Sequence, residues 1–206
     1  MIQDQVAAGE AALSQRCPVL AQLIAQHRPC GIAARKRDPF HTLCLSIVSQ
    51  QLSSKAADTI YGRVATHVGA KGKLKPQQLI AADTEALRRC GLSYAKVKWL
   101  KALAASVDSG QLSFAKLRKM DDEAALQALD DLPGIGRWTA EMYLIFALDR
   151  LDIFSMGDVG LRNAVNRLYG KGRKLSDRRT LQLTAAWAPY RSIASWYLWR
   201  SGDAKA

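Results

Sequence analysis

The spacing of the apolar residues constrains the fold of this chain more than any other feature of its sequence. Apolar side chains recur every three or four positions, as Leu43, Ile47 and Val48 do, and strand-like alternation between turn signals is nearly absent. Asp38 followed by Pro39 is typical of a helix start, because the aspartate caps the first turn and proline fits the first helical position. The pattern predicts about ten helices and an all-α fold.

The length of the chain bears on its domain organisation. Its 206 residues suit one large domain or two small lobes. The basic loop Gly69–Pro76 is the candidate boundary between such lobes. We therefore expect residues 1–206 to form a single domain made of two helical lobes with a cleft between them.

Composition excludes several classes of protein. Hydrophobic residues make up 49% of the chain, enough for a core, and no apolar run approaches the roughly 20 residues that a membrane span needs. We expect no leader segment and therefore a cytoplasmic protein, nucleoid-associated in a bacterium or nuclear in a eukaryote. The four cysteines are widely spaced and only three histidines are present. This argues against a side-chain metal site and predicts buried thiols.

The charge balance points to the class of partner. The chain carries 30 lysines and arginines against 18 acidic residues, a net charge of +12. A basic surface binds phosphate backbones because binding releases counterions. The excess favours a polyanionic partner, but it is not specific, since many basic proteins bind no nucleic acid.

The most informative segment is Leu132–Ala140, which reads LPGIGRWTA. It predicts a tight turn between two helices, in which Gly134 and Gly136 allow positive φ and close backbone approach. The N–H groups at the start of the second helix then form a site suited to one phosphate, with the hydroxyl of Thr139 as a further donor. This helix-hairpin-helix pattern is typical of proteins that grip the DNA backbone.

Asp158 follows the hairpin by 22 residues, counted from Gly136. Its position predicts the N-cap of a helix that begins at Val159. A helix N-terminus favours the ionised carboxylate, and such a carboxylate beside a sugar would stabilise an oxocarbenium ion and orient a water.

Four segments in this order resemble the DNA-3-methyladenine glycosylase II family of the helix-hairpin-helix DNA glycosylase superfamily. The resemblance covers the chain from about Asp38 to Arg200. Its segments are Ser46–Ser54, Gly91–Lys98, the hairpin with Asp158, and Trp187–Ser192 leading to Tyr197–Trp199. It implies a monofunctional hydrolase that flips alkylated purines of the 3-methyladenine and 7-methylguanine type out of double-stranded DNA. Such an enzyme removes them in the first step of base excision repair. We expect it to be a monomer that needs no organic cofactor.

The resemblance also implies roles for individual residues. Asp158 corresponds to the catalytic aspartate, and Leu52 to the residue that wedges into the gap left by the extruded nucleotide. The remaining assignments fall into three groups: DNA-binding residues Gln51, Gly134, Gly136 and Thr139; base-pocket residues Gln50, Trp138, Met142, Tyr143 and Trp199; and a structural monovalent cation on the backbone carbonyls of Asp130, Leu132 and Ile135. Met142, with Tyr143 beside it, stands where another family member has tyrosine.

Several of these residues have a simpler alternative role. Trp138, Trp199 and Leu52 also suit ordinary core packing. Gln50 and Gln51 also suit side-chain-to-backbone hydrogen bonds.

Two alternative functions remain at this stage. A bifunctional glycosylase and lyase would use a lysine amine to form a Schiff base, but Trp138 stands where that branch of the superfamily has its lysine. A non-catalytic helix-hairpin-helix module would need neither Asp158 nor the segment Gln50–Leu52.

Overall fold

The structure is a computed structural model, and residues 1–32, 38–70, 74–171 and 173–203 are described. Every regular element within these ranges is a helix, so the all-α prediction is confirmed. The helices are α1 (Ile2–Arg16), α2 (Pro18–His27), α3 (Pro39–Ser49), α4 (Ser54–His67), α5 (Pro76–Ala81), α6 (Thr84–Arg89), α7 (Tyr94–Asp108), α8 (Phe114–Leu117), α9 (Asp122–Asp130), α10 (Arg137–Ala147), α11 (Val159–Tyr169), α12 (Asp177–Ala185) and α13 (Arg191–Asp203).

Side-chain caps, among them the one predicted at Asp38, account for several of these boundaries. The side chain of Asp38 accepts from the His41 N–H at 3.0 Å at the start of α3, and that of Asp83 accepts from the Ala86 N–H at 2.8 Å at the start of α6. Each such bond satisfies a backbone donor that the first helical turn leaves without a partner. The sequence did not predict α1, α2 or the single turn α8.

Contacts divide the chain into two compact units. The terminal unit is Met1–Lys36 with Leu144–Ala206, and the central unit is Arg37–Tyr143. The boundary predicted at Gly69–Pro76 was wrong, because that loop falls within the central unit; its residues 71–73 lie outside the described residues. The cleft between lobes stays a prediction.

In the terminal unit α13 packs against α1, α2 and α11. Trp187, Tyr197 and Leu13 are fully buried there. The buried carboxylate of Glu10 on α1 accepts hydrogen bonds from the Tyr197 hydroxyl and from the guanidinium of Arg28. Burial and the neighbouring Glu10 raise the pKa of Tyr197. The bond from Tyr197 therefore holds α13 in place close to Trp199, which follows two residues later on the same helix.

In the central unit α7 packs against α3, α5 and α6, and α3 also packs against α4. One face of α7 is apolar and buried, since Val97, Leu100 and Leu103 are each 2% exposed or less. The predicted thiols are also found: Cys30, Cys44 and Cys90 of the two units are buried, and Cys17 is half-buried. Burial raises the pKa of Cys30 to about 11, so this thiol stays protonated at neutral pH.

Candidate functional site

The hairpin of the central unit occupies the turn between α9 and α10. The Ile135 N–H donates to the Leu132 carbonyl at 3.1 Å and closes the turn, while the Ile135 side chain is buried. Gly134 has φ +83°, and a Cβ at this position would lie 2.4 Å from a ring carbon of Trp99. Any larger residue would therefore strain the backbone and displace the indole.

The sequence allows positive φ at both glycines of the hairpin, but Gly136 does not adopt it. Its φ is outside the left-handed region, and a Cβ here would meet no atom within 4 Å. Its carbonyl instead accepts the first hydrogen bond of α10, from the Ala140 N–H at 3.0 Å. Position 136 thus leaves open space beside the start of the helix.

The first turn of α10 carries three candidate side chains with different surroundings. Trp138 is 50% exposed, so the core-packing alternative does not hold for it, whereas Thr139 is buried. Arg137 forms a two-pronged ion pair with Glu123, at 2.8 and 3.0 Å, and contacts Glu141 at 3.3 Å. The hydrogen bonds and charges of this cluster raise the pKa of Arg137 and lower that of Glu123.

The turn after α3, residues Gln50–Leu52, touches the hairpin directly. The Gln50 Nε2 donates to the Gly134 carbonyl at 2.7 Å, which is the side-chain-to-backbone alternative for this residue. Gln51 adopts a left-handed φ of +58°, and the Leu52 N–H donates to the Ser49 carbonyl at 3.0 Å. Leu52 is 39% exposed, so it is not a core leucine.

Asp158 lies in the terminal unit at the N-cap of α11, as predicted. Its Oδ1 accepts from the Leu161 N–H at 2.7 Å and from the Trp199 Nε1 at 3.0 Å, and the residue is buried. These two donors, one from the first turn of α11 and one from α13, fix the direction of the carboxylate. A Cβ at Gly160 would lie 3.2 Å from this Oδ1 and 3.4 Å from Trp199, so glycine leaves room for the pair.

The bond from Trp199 was not expected, because only a stacking or a packing role was predicted for this indole. Its ring also lies 5.8 Å, centroid to centroid, from that of Phe146 at an interplanar angle of 34°. Phe146 is a site candidate that the sequence reasoning missed. The available signal was its position four residues after Met142, since such pairs share a helix face.

The other two predicted pocket residues lie on α10 of the central unit. Met142 is half-buried, and Tyr143 is only 1% exposed. Burial raises the pKa of Tyr143, and its hydroxyl has no hydrogen-bond partner among the described residues. The structure therefore gives Tyr143 a core position, with an unpaired donor.

Metal ligation by side chains finds no support in the described ranges, where no cluster of three His, Cys, Asp or Glu could hold an ion. The predicted cation would use backbone carbonyls instead. The Leu132 carbonyl accepts a hydrogen bond from the Ile135 N–H, and a carbonyl oxygen has a second lone pair with which to bind an ion. Backbone carbonyl oxygens also coordinate monovalent cations, as in the filters of potassium channels. No helix in the described ranges is both long and apolar enough to span a bilayer.

Comparison with known proteins identifies the family of this chain. Residues 44–189 match the model of the HhH-GPD superfamily base excision DNA repair protein family. DNA-3-methyladenine glycosylase 1 of Schizosaccharomyces pombe is 33% identical over 184 residues, covering 88% of this chain and 80% of the relative.

Two solved structures are also similar over almost the whole chain. The Bacillus halodurans DNA-3-methyladenine glycosidase has a TM-score of 0.76 at 38% identity, covering 90% of this chain and 89% of that one. The Schizosaccharomyces pombe 3-methyladenine DNA glycosylase, in complex with abasic DNA, has a TM-score of 0.80 at 30% identity, with 95% and 97% covered. The chain therefore belongs to the HhH-GPD superfamily of base excision DNA repair proteins.

Proposed function

We propose that this protein is a monofunctional DNA glycosylase that excises alkylated purines from double-stranded DNA. The observation that carries the proposal is the buried carboxylate of Asp158, held by the Leu161 N–H and the Trp199 indole. Backbone gripping alone has no use for such a carboxylate. Relatives named as 3-methyladenine glycosylases support the same reaction class.

The chemistry requires little acid catalysis. A purine alkylated at N3 or N7 is positively charged, so when the C1′–N9 bond breaks the electron pair neutralises the base. The sugar becomes an oxocarbenium ion, which the Asp158 carboxylate stabilises electrostatically. Water adds to C1′ and its proton passes to the carboxylate, leaving an abasic site.

Binding is assigned to the central unit. The helix start at the hairpin offers backbone N–H groups to a phosphate, and Gly136 leaves the space for it to approach. The net charge of +12 adds attraction that is independent of sequence. Leu52, presented on the turn after α3, fills the gap left by the flipped nucleotide.

The base-pocket assignments stay predictions for all five residues: Gln50, Trp138, Met142, Tyr143 and Trp199. An indole face stacks well on a cationic base because its π-system is electron-rich. For Trp199 this role is compatible with the structure, since its N–H binds Asp158 through the ring edge.

We also propose that the carbonyls of Asp130, Leu132 and Ile135 hold a monovalent cation. The ion would supply positive charge beside the bound phosphate. The monomeric state and the cytoplasmic or nuclear location are further proposals, which depend on the DNA-repair function.

Base release tests the proposed function directly. Duplex DNA treated with a methylating agent is incubated with the protein, and the free bases are identified by chromatography. We expect 3-methyladenine and 7-methylguanine to appear faster than in a protein-free control. Release at the control rate by folded, DNA-binding protein would contradict the proposal.

A further inference from the structure

Lys96 lies in a segment, Gly91–Lys98, to which the proposed function gives no role. Ser93 caps α7 by accepting from the Lys96 N–H at 3.2 Å, so Lys96 lies in the first helical turn. A cation is unfavourable there because the helix dipole is positive at that end. Partial burial also lowers the pKa of Lys96. Local helix stability therefore does not explain this residue.

The ammonium of Lys96 is bound at the C-terminal end of α3. Its Nζ donates to the carbonyls of Val48 and Gln50, each at 2.7 Å. These carbonyls lie where a helix leaves its acceptors without partners and where the dipole is negative. Lys96 thus joins the start of one helix to the end of another.

The carbonyl of Gln50 belongs to the peptide that leads into Gln51. Fixing its direction fixes the path of the chain into the left-handed residue, whose φ is +58°. A residue with a Cβ adopts this conformation only when its surroundings hold it there. Leu52, the proposed wedge, is the next residue, so the direction of its side chain depends on this peptide.

The same helix also supports the hairpin. Trp99, three residues after Lys96, lies against the α-carbon of Gly134, and residues at this spacing share a helix face. The Gln50 side chain then closes the connection by donating to the Gly134 carbonyl at 2.7 Å. One face of α7 therefore holds both the wedge turn and the phosphate-binding turn.

We propose that Lys96 is a positioning residue, which fixes the Gln50–Gln51 peptide and thereby aims Leu52 into the DNA duplex. The proposal rests on the proposed function of Leu52 as a wedge. Lys96 controls the direction of the Leu52 side chain. The bond from Gln50 to the Gly134 carbonyl holds the turn that carries Leu52 in place against the hairpin.

The test measures wedge insertion without requiring base release. A duplex carries a stable abasic analogue with the fluorescent base 2-aminopurine beside it, and the fluorescence rise at saturating protein reports unstacking. We compare the wild type with Lys96→Met, Lys96→Arg, Leu52→Ala and the double variant. Lys98→Met is the matched control, because it removes the same charge from an exposed position of α7.

We expect Lys96→Met and Leu52→Ala each to lose most of the fluorescence rise. The double variant should lose no more than Leu52→Ala alone, because Lys96 acts through Leu52 and the two effects are not additive. Lys96→Arg should restore the rise and Lys98→Met should resemble the wild type. On methylated duplex, single-turnover base release by Lys96→Met should fall about 10- to 100-fold, as misplaced groups near a reaction do.

The inference would be overturned if Lys96→Met gave the same fluorescence rise as the wild type. It would also be overturned if the double variant lost more of the rise than Leu52→Ala alone. A wild type that gives no rise would remove Leu52 as the wedge and the inference with it. The melting temperature of each variant shows whether it is folded. If Lys96→Met is unfolded, the fluorescence rise of Lys96→Gln tests the inference in its place. Absence of base release by a wild type that does give the rise would instead contradict the proposed function alone.

Discussion

Asp158 and the hairpin are both built at the start of a helix, but they use that position in opposite ways. At α11 the N-terminus is filled by the chain's own carboxylate, which accepts from Leu161 and Trp199 and is buried. At α10 the start of the helix follows two glycines, and the position of Gly136 opens onto free space. The first arrangement suits the catalytic role that we propose for Asp158, and the second suits the phosphate site that we propose at the hairpin.

This difference predicts that chemistry and affinity separate by mutation. Asp158→Asn should lower single-turnover base release about 1,000-fold, because a charge aimed at the transition state is lost. The affinity for duplex DNA should change less than about threefold, since asparagine remains a good N-cap and the fold persists. Chromatography of released bases and a binding titration measure the two effects.

Asp83→Asn is the matched control, because Asp83 caps α6 in the same way. It should leave both quantities unchanged. Normal base release by Asp158→Asn would remove the carboxylate from the chemistry.

Gly134→Ala should weaken binding to every duplex sequence about tenfold, because the new Cβ would collide with Trp99 and distort the turn. It should also lower the free energy of unfolding by more than about 1 kcal/mol, because alanine is strained at positive φ. Gly110→Ala provides the control, with a similar φ of +76° and no atom within 4 Å of the added Cβ. If the two variants bind DNA equally well, the hairpin geometry does not set affinity.

Trp199→Phe tests the catalytic region more finely, because it keeps an aromatic ring and removes the donor to Asp158. Base release should fall about tenfold, in line with a lost hydrogen bond to a charged group. Binding of undamaged DNA should not change. Trp196→Phe, an indole on the same helix, is the control. Equal rates in both variants would mean that the N–H of Trp199 does not orient the carboxylate.

The smallest expected effect concerns Arg137, which Glu123 and Glu141 partly neutralise at the hairpin. Glu123→Gln should strengthen duplex binding less than about threefold at low salt, and the gain should vanish at high salt because surface pairs are screened. Glu85→Gln removes the same charge elsewhere and should give a smaller gain. Identical gains would show that only net charge matters.

Local sequence signals predicted the parts of the site that depend on local geometry. The cap at Asp158 and the turn at Gly134 follow from residue type and spacing alone. Lys96 could not be found this way, because its partners at Val48 and Gln50 are backbone carbonyls 48 and 46 residues away. A carbonyl has no sequence signature, and the same holds for the Gly134 carbonyl that binds Gln50.

The fold, like the site, was predicted where the local sequence signal is clear and missed where that signal is weak or where distant residues decide. The helices that begin after the capping residues Asp38 and Asp158 were predicted, whereas α1, whose N-cap Met1 provides no side-chain cap bond, was missed. The single turn α8 was also missed, although Ser113 caps it, because four residues are too few to show a helical period. The bond between Trp199 and Asp158 joins residues 41 positions apart and depends on how α13 packs against α11. Residue type alone also did not distinguish the two glycines of the hairpin, since both allow positive φ and only Gly134 adopts it.

The central claim is that a carboxylate drives this reaction and that no amine attacks the sugar. Trp138 stands at the lyase position, and no lysine occurs between Met120 and Gly170. Borohydride added during turnover on methylated duplex DNA tests this, since it traps an imine as a covalent adduct. We expect free alkylated purine, an intact abasic strand and no protein–DNA adduct. An adduct that forms at the rate of base release would contradict the claim.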